Sequence, residues 1–215
     1  MNKKTWILLT ILVVVIGGFF YWWLSQPIEI GEPEEKSQPP TLFAKEDYKI
    51  EEREDGKYIV VEKVGLTCKV PEGWNIKIEG DDIPEPEYWV NLSSPDAEVK
   101  DIPIKGCGIS VITGIETKNI EEIKDNIRIL QEYPDIKPEE ISYIYKDYIL
   151  EVVKINNYQA LKWIAPEKPT IGQGLGVNIP VDDEKLISLN TRFLPDYKER
   201  CSLIWEEFLK NIVIE

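Results

Sequence analysis

Three cysteines, two runs of carboxylates and one glycine-rich stretch are the residues of this sequence whose types and spacing could do chemistry. Cys68, Cys107 and Cys201 stand far apart and make no Cys-x-x-Cys pair, so a dithiol redox centre is not indicated. The carboxylate runs EGDDIPEPE (79–87) and VDDEK (181–185) offer the oxygen ligands that calcium prefers. Neither has the spacing of an EF-hand, and both read as solvated loops. IGQGLG (171–176) lacks the Lys-Ser/Thr and the following helix of a phosphate loop, so its glycines read as close backbone packing or the start of a strand. Asn91 opens an Asn-Leu-Ser sequon, expected to be fortuitous inside a strand.

Histidine is absent from all 215 residues. That removes the commonest general base and the commonest metal ligand, and with them every Ser-His-Asp or Cys-His centre. No catalytic, metal-binding or cofactor-binding residue is assigned, and the chain is not expected to be an enzyme. The catalytic alternative is an envelope hydrolase working through two carboxyls ~5–10 Å apart, but no pair is singled out by spacing.

The net charge is -14, from 39 acidic and 25 basic residues. The first 24 residues hold Lys3, Lys4 and no acid, so the remainder carries -16. Such a surface repels phosphate backbones, which argues against a nucleic-acid partner.

Residues 6–24 run without a charge. At ~1.5 Å per residue that segment would reach ~28 Å as a helix, close to the ~30 Å hydrocarbon core. Lysines precede it, and no base follows before Lys36, which predicts a cytoplasmic N-terminus and an extracytoplasmic remainder. Trp6 at one end and Tyr21, Trp22 and Trp23 at the other suit the two headgroup levels. A cleaved signal peptide would have a shorter apolar run and small residues where these aromatics stand. No cysteine follows for a lipid anchor. Residues 1–24 are therefore expected to be a single-pass signal anchor. Residues 25–44, with four prolines and several acids, are expected to be a solvated linker, and residues 45–215 a folded domain.

Within that domain, alternating runs around Asp55-Gly56, Asn156-Asn157 and Asp182-Asp183-Glu184 predict three hairpins. Pro71-Glu72-Gly73 turns the chain between the strands LTCKV and WNIKIE, with Trp74 returning into the core. YWVNLSS is a further strand, and GCGISVITGI reads as a central one because it has little polar alternation. Ile120, Ile123, Ile127 and Leu130 line one face of a helix capped at Asn119 with Glu122 three later, and Pro134 ends it. A last helix starts near Pro195-Asp196 with Cys201, Ile204, Trp205, Phe208 and Ile212 as its stripe. The fold class is α+β: an antiparallel sheet covered by helices in a layered sandwich.

GLTCKVPEGW (65–74), VNLSSPD (90–96), GCGISVI (106–112) followed by NIEEIKDNI (119–127), and YKERCSLIWEEFLKNIVI (197–214) resemble the PsbP-like family. The resemblance covers roughly residues 64–215. It implies a closing helix followed by a short strand, and a binding or assembly role without catalysis. The best likeness is to anchored bacterial envelope members of unassigned function. The sequence departs from plastid members in lacking a Ser- and Arg-rich transit peptide.

Outside the membrane, disulfides are allowed. A Cys107–Cys201 bridge would staple the last helix to the central strand; another pairing, or three buried free thiols, are the alternatives. Trp89, Trp163 and Trp205 are core candidates by type. Trp89, beside the proline-rich loop, is the first candidate for a contact surface. The expectation for function is thus a tethered, extracytoplasmic, non-catalytic binding or assembly module for an unknown envelope protein or ligand. Small-ligand or lipid carriage is the further alternative and would need an apolar cavity between sheet and helices.

Overall fold

The computed structural model describes residues 41–80, 88–99, 103–115, 117–142, 145–168 and 172–215. The expected anchor at 6–24, most of the linker and the loop 81–87 lie outside these residues. Among the described residues, no helix is long and apolar enough to cross a membrane.

The strands are β1 (Thr41–Leu42), β2 (Lys49–Arg53), β3 (Gly56–Val61), β4 (Leu66–Lys69), β5 (Asn75–Gly80), β6 (Tyr88–Ser93), β7 (Glu98–Val99), β8 (Pro103–Lys105), β9 (Gly108–Ile115), β10 (Ile149–Ile155), β11 (Tyr158–Ile164), β12 (Gln173–Pro180), β13 (Lys185–Phe193) and β14 (Ile212–Ile214). The helices are α1 (Thr117–Glu132), the single turn α2 (Pro138–Ile141) and α3 (Lys198–Lys210). All strand pairs are antiparallel. The larger sheet runs β10-β11-β12-β13-β9-β6-β5, with β1 also on β9. A four-stranded sheet runs β14-β4-β3-β2, and β7-β8 make a small ribbon.

The chain is α+β, but a second sheet does part of the covering expected of helices. One core joins the inward residues of both sheets and α3: Val111, Leu189 and Phe193 from the larger sheet, Ile59 and Leu66 from the smaller, and Trp205 from the helix. On the opposite face of the larger sheet, Ile120, Ile123 and Ile127 of α1 pack on Leu161 and Leu186. β9 lies between β13 and β6 and is central, as its apolar run predicts.

Local differences from the sequence reading have physical causes. The first hairpin turns on Glu54 and Asp55, because Arg53 pairs with Gly56. The Pro-Glu-Gly turn closes with the Trp74 N–H donating to the Pro71 carbonyl at 3.2 Å. Gly73 sits at φ +75°, where a side chain would be strained. That turn does not join neighbours: it hands the chain from β4 in the smaller sheet to β5 at the edge of the larger. Trp74 is half-buried against the core. α1 begins at Thr117, so Asn119 lies in its first turn and is not its cap. Ile212 is buried as a β14 residue paired with Cys68, not as part of the helical stripe. The fold also takes in residues before Lys45: β1 pairs with Ile115 and Gly114, and Phe43 is 3% exposed.

Cys107 and Cys201 are bonded, with Cα atoms 5.5 Å apart and a sequence separation of 94. The bridge ties α3 to the residue preceding β9. Cys68 is free, wholly buried, and its thiol is pushed far above the ordinary range by burial alone. Denatured, unreduced protein should therefore release one thiol per chain, and the native protein none. Replacing Cys107 and Cys201 together by alanine should lower stability by about 4 kcal/mol, from the loop-closure entropy of so long a loop, read as the shift of the urea unfolding curve.

Candidate functional site

A strand alternates its side chains, and directly opposed residues on neighbouring strands share a face. On the larger sheet, Ile109, Val111, Ile187, Leu189 and Phe193 point to the core, so Ser110, Ile112, Ser188 and Asn190 point outward. Following the register from β11 gives an outward row Trp163, Gly176, Asn190, Ser110, Asn91. Beside it runs a second row: Asn178, Ser188, Ile112, Trp89, Glu79. The Trp, Asn and Ser members are all half-buried. α1 stands over an aliphatic part of the face, at Leu161 and Leu186. Elsewhere the two rows carry amides, hydroxyls and two indoles, with Ile112 among them.

These side chains are held. Ser110 Oγ donates to Asn91 Oδ1 at 2.6 Å, and Asn91 Nδ2 donates to Glu79. The Lys77 ammonium holds the Glu79 carboxyl below its usual range, and Asn91 and the Trp89 indole add to this against a partial cost of burial. Ser188 Oγ donates to Asn178 Oδ1 at 3.0 Å. Trp163 lies against glycine backbone: a Cβ on Gly176 would sit 2.2 Å from its Cε2 and Cζ2. Gly174 and Gly176 of IGQGLG thus make room for an indole, while Gly172 lies against the Phe193 backbone. Tyr148 packs against Trp163 with ring centroids 6.1 Å apart and the ring planes tilted by 52°.

The structure disperses the other residues singled out in the sequence. Asp182 Oδ1 accepts the backbone N–H groups of Glu184 and Lys185 at 2.8 and 2.7 Å, which closes the β12–β13 loop. Asp183 pairs with Lys124 of α1. Among the described residues, no group of three or more Cys, Asp or Glu could hold a metal ion. Trp89, the expected contact residue, is half-buried on this outer face, whereas Trp205 is fully buried. The Asn and Ser ladder and Trp163 were not legible as a site, because outward polar residues on a strand look like any solvated face until the register aligns them.

A second cluster brackets the disulfide. Asp96 accepts from Arg200 Nη2 and from Ser94 Oγ, each at 2.8 Å, and Ser94 Oγ accepts the Cys107 N–H at 3.0 Å. The Arg200 guanidinium, with Ser94, holds Asp96 down at about 2. This cluster fastens α3 beside the bridge and has the character of a structural latch.

No family model matches the chain, and no curated protein matches it. The PsbP-like likeness therefore stands without a family match. Among solved structures, LpqN, described as involved in cell envelope biogenesis of Mycobacterium tuberculosis, is 12% identical over 69% of this chain and 82% of its own, with a TM-score of 0.38. A protein from Bacteroides thetaiotaomicron is 14% identical over 70% of this chain and 45% of its own, with a TM-score of 0.36. A Pseudomonas aeruginosa protein of unknown function, PA94, described as a putative regulator, is 10% identical over 78% of this chain and 97% of its own, with a TM-score of 0.32. Likenesses at this level carry no functional argument.

Two expectations follow. Gly176→Ala should cost about 1–3 kcal/mol, because its methyl would displace the Trp163 ring, measurable as a lowered melting temperature with altered indole fluorescence. Asp96 has a folded pKa below its unfolded value of ~3.9. Its contribution is therefore fully present above pH ~4 and is lost as the pH falls through about 2. Urea midpoints at pH 5, 3 and 2 should show this fall in the wild type and a smaller one in Arg200→Ala, with salt damping the difference because the pair is exposed.

Proposed function

We propose that the chain is a membrane-tethered, extracytoplasmic, non-catalytic binding module. The observation that carries this reading is the outer face of the larger sheet. Two indoles and a row of held amides and hydroxyls stand on rigid strands, where side chains are better positioned than on loops. Such a set can orient a partner by stacking and hydrogen bonding, and it holds no nucleophile paired with a base.

The address draws on two further features. A disulfide is formed and kept in an oxidising compartment. The charge-free run at 6–24, with lysines before it, would tether the chain with its N-terminus in the cytoplasm. The PsbP-like resemblance agrees with a binding or assembly role. Catalysis through paired carboxylates has no comparable support.

Small-ligand or lipid carriage has one observation in its favour. A depression of about 480 Å³ lies between the β10–β11 end of the larger sheet and α3, where Val153, Ile155, Leu209 and Ile212 are flanked by Lys162 and Glu206. It is shallow and open, and Lys162 is already engaged with Glu151 and Glu206 at 3.6 and 3.5 Å. Lys154 and Lys210 also line the depression.

The test is made in intact cells with a tag at the C-terminus. Protease added outside, after the outer layers are opened, should digest residues 45–215 while a tag at the N-terminus survives. Crosslinked capture with the full chain should then enrich a partner or polymer that an anchor-only version does not. Digestion only after lysis would sink the extracytoplasmic address. Turnover of an envelope substrate lost on a single substitution would sink the non-catalytic role.

A further inference from the structure

We infer that the outer face of the larger sheet, from Trp163 to Trp89, binds an uncharged glycan chain. This rests on the binding-module reading and assigns its ligand class. The face offers three things together, and a neutral oligosaccharide requires all three.

The first is flat aromatic surface. Trp163 lies down on the Gly176 backbone, since any side chain there would strike its ring. Trp89 stands half-exposed on β6. The apolar face of a sugar ring can rest on an indole, and a rigid indole loses little entropy in doing so.

The second is hydrogen bonding without charge. Hydroxyls both donate and accept, and amides match them in both roles. Asn190 lies between Gly176 and Ser110 in the central row, and no hydrogen bond of its amide is seen among the described residues. Asn178 spends its Oδ1 on Ser188 and keeps its Nδ2 hydrogens. Asn91 is held by Ser110 and Glu79. The ionised groups stand at the margins: Arg192 in the row beyond Asn190, and Glu79 and Lys77, paired with each other on edge strand β5. An anionic polymer would meet a strongly acidic protein. A protein partner would be expected to find a cluster of apolar anchors in the patch centre, and here Ile112 stands alone, half-buried between Ser188 and Trp89, with Asn190 and Ser110 beside it.

The third is extent. Trp163 on β11 and Trp89 on β6 are four strand spacings apart, about 19 Å. That is longer than a single small molecule and suits a short run of linked rings. The face is also bounded: α1 covers Leu161, the neighbour of Asn178, and so forms a wall along one side.

The test uses the full chain in micelles of a zwitterionic detergent, so that no sugar headgroup competes. The probes are chitohexaose and cellohexaose as uncharged chains and hexagalacturonate as a charged one, titrated by calorimetry and tryptophan fluorescence. At least one uncharged hexasaccharide should bind saturably and hexagalacturonate should not. Asn190→Ala and Trp89→Ala should each weaken binding about tenfold, the equivalent of one lost hydrogen bond or stacking contact, with unchanged melting temperatures. If Trp89→Ala fails to fold, Asn178→Ala takes its place. Absence of saturable binding by both uncharged sugars, equal binding of hexagalacturonate, or variants that bind like wild type would each overturn the inference. Partner capture separates this from failure of the underlying reading. If no sugar binds but Asn190→Ala abolishes capture of a crosslinked partner, the face is a binding surface and the ligand class is wrong. If neither is affected by Asn190→Ala, the face falls as a binding surface as well.

Discussion

A strand cannot place consecutive side chains on the same side, and the rest of this structure depends on how β9 and β13 meet that constraint. Their odd-numbered residues, Ile109 and Val111 on one and Ile187, Leu189 and Phe193 on the other, are almost entirely apolar and must leave water. Thr113 and Thr191 are the buried polar exceptions, and each finds a partner: Thr113 with the Tyr48 hydroxyl at 3.0 Å, Thr191 with the Gly108 carbonyl at 2.6 Å. Once that side is inward, Ser110, Ser188 and Asn190 have no choice of direction. A one-residue slip in the register would bury the amides and expose the core. The core and the candidate site are two consequences of one pairing.

The inward side then needs a cover that helices alone do not supply. The smaller sheet and α3 provide it together, and the chain has to travel between layers to build them. β4 lies in the smaller sheet and β5 in the larger; α3 follows the larger sheet, and β14 returns to the smaller. These crossings explain where the cross-links stand. The Cys107–Cys201 bond and the Asp96–Arg200 latch join α3 to the approach to β9, at a place where no strand ladder connects the two. Among the described residues, α1 covers part of the outward side, which is why its polarity changes along the sheet.

Elements whose signals are local were legible. Asn156-Asn157 between two alternating runs could only be a hairpin, and Asn156 takes the left-handed φ of +52° that such turns require. The 3-4-3 spacing of isoleucines marked α1, and Pro134 marked its end. Errors fell where local signals tie. Asp55-Gly56 and Glu54-Asp55 are both credible turn pairs, and only the cross-strand register chooses between them. Ile212 continues the stripe of α3 by spacing, but pairing with β4 offers it a strand instead. Trp89 was named from its position beside a polar loop, while Trp163, which has the same chemistry, sat inside an apolar run and read as core.

Charge, the absence of histidine, the number of cysteines and the approximate place of most turns are properties of the sequence by itself, because they depend on residue type or on neighbours a few positions away. They determined the excluded chemistries, the α+β class and most element boundaries. Which strands share a sheet, which cysteine stays free, and which polar residues stand side by side were decided only by tertiary structure. Asn91, Ser110, Ser188 and Asn190 come from three strands that no short turn connects in order. Backbone hydrogen bonds hold them together, and those bonds are the same for every residue type. Their register is therefore set by collective burial of the opposite face, a property of the whole sheet that no segment of the chain carries alone.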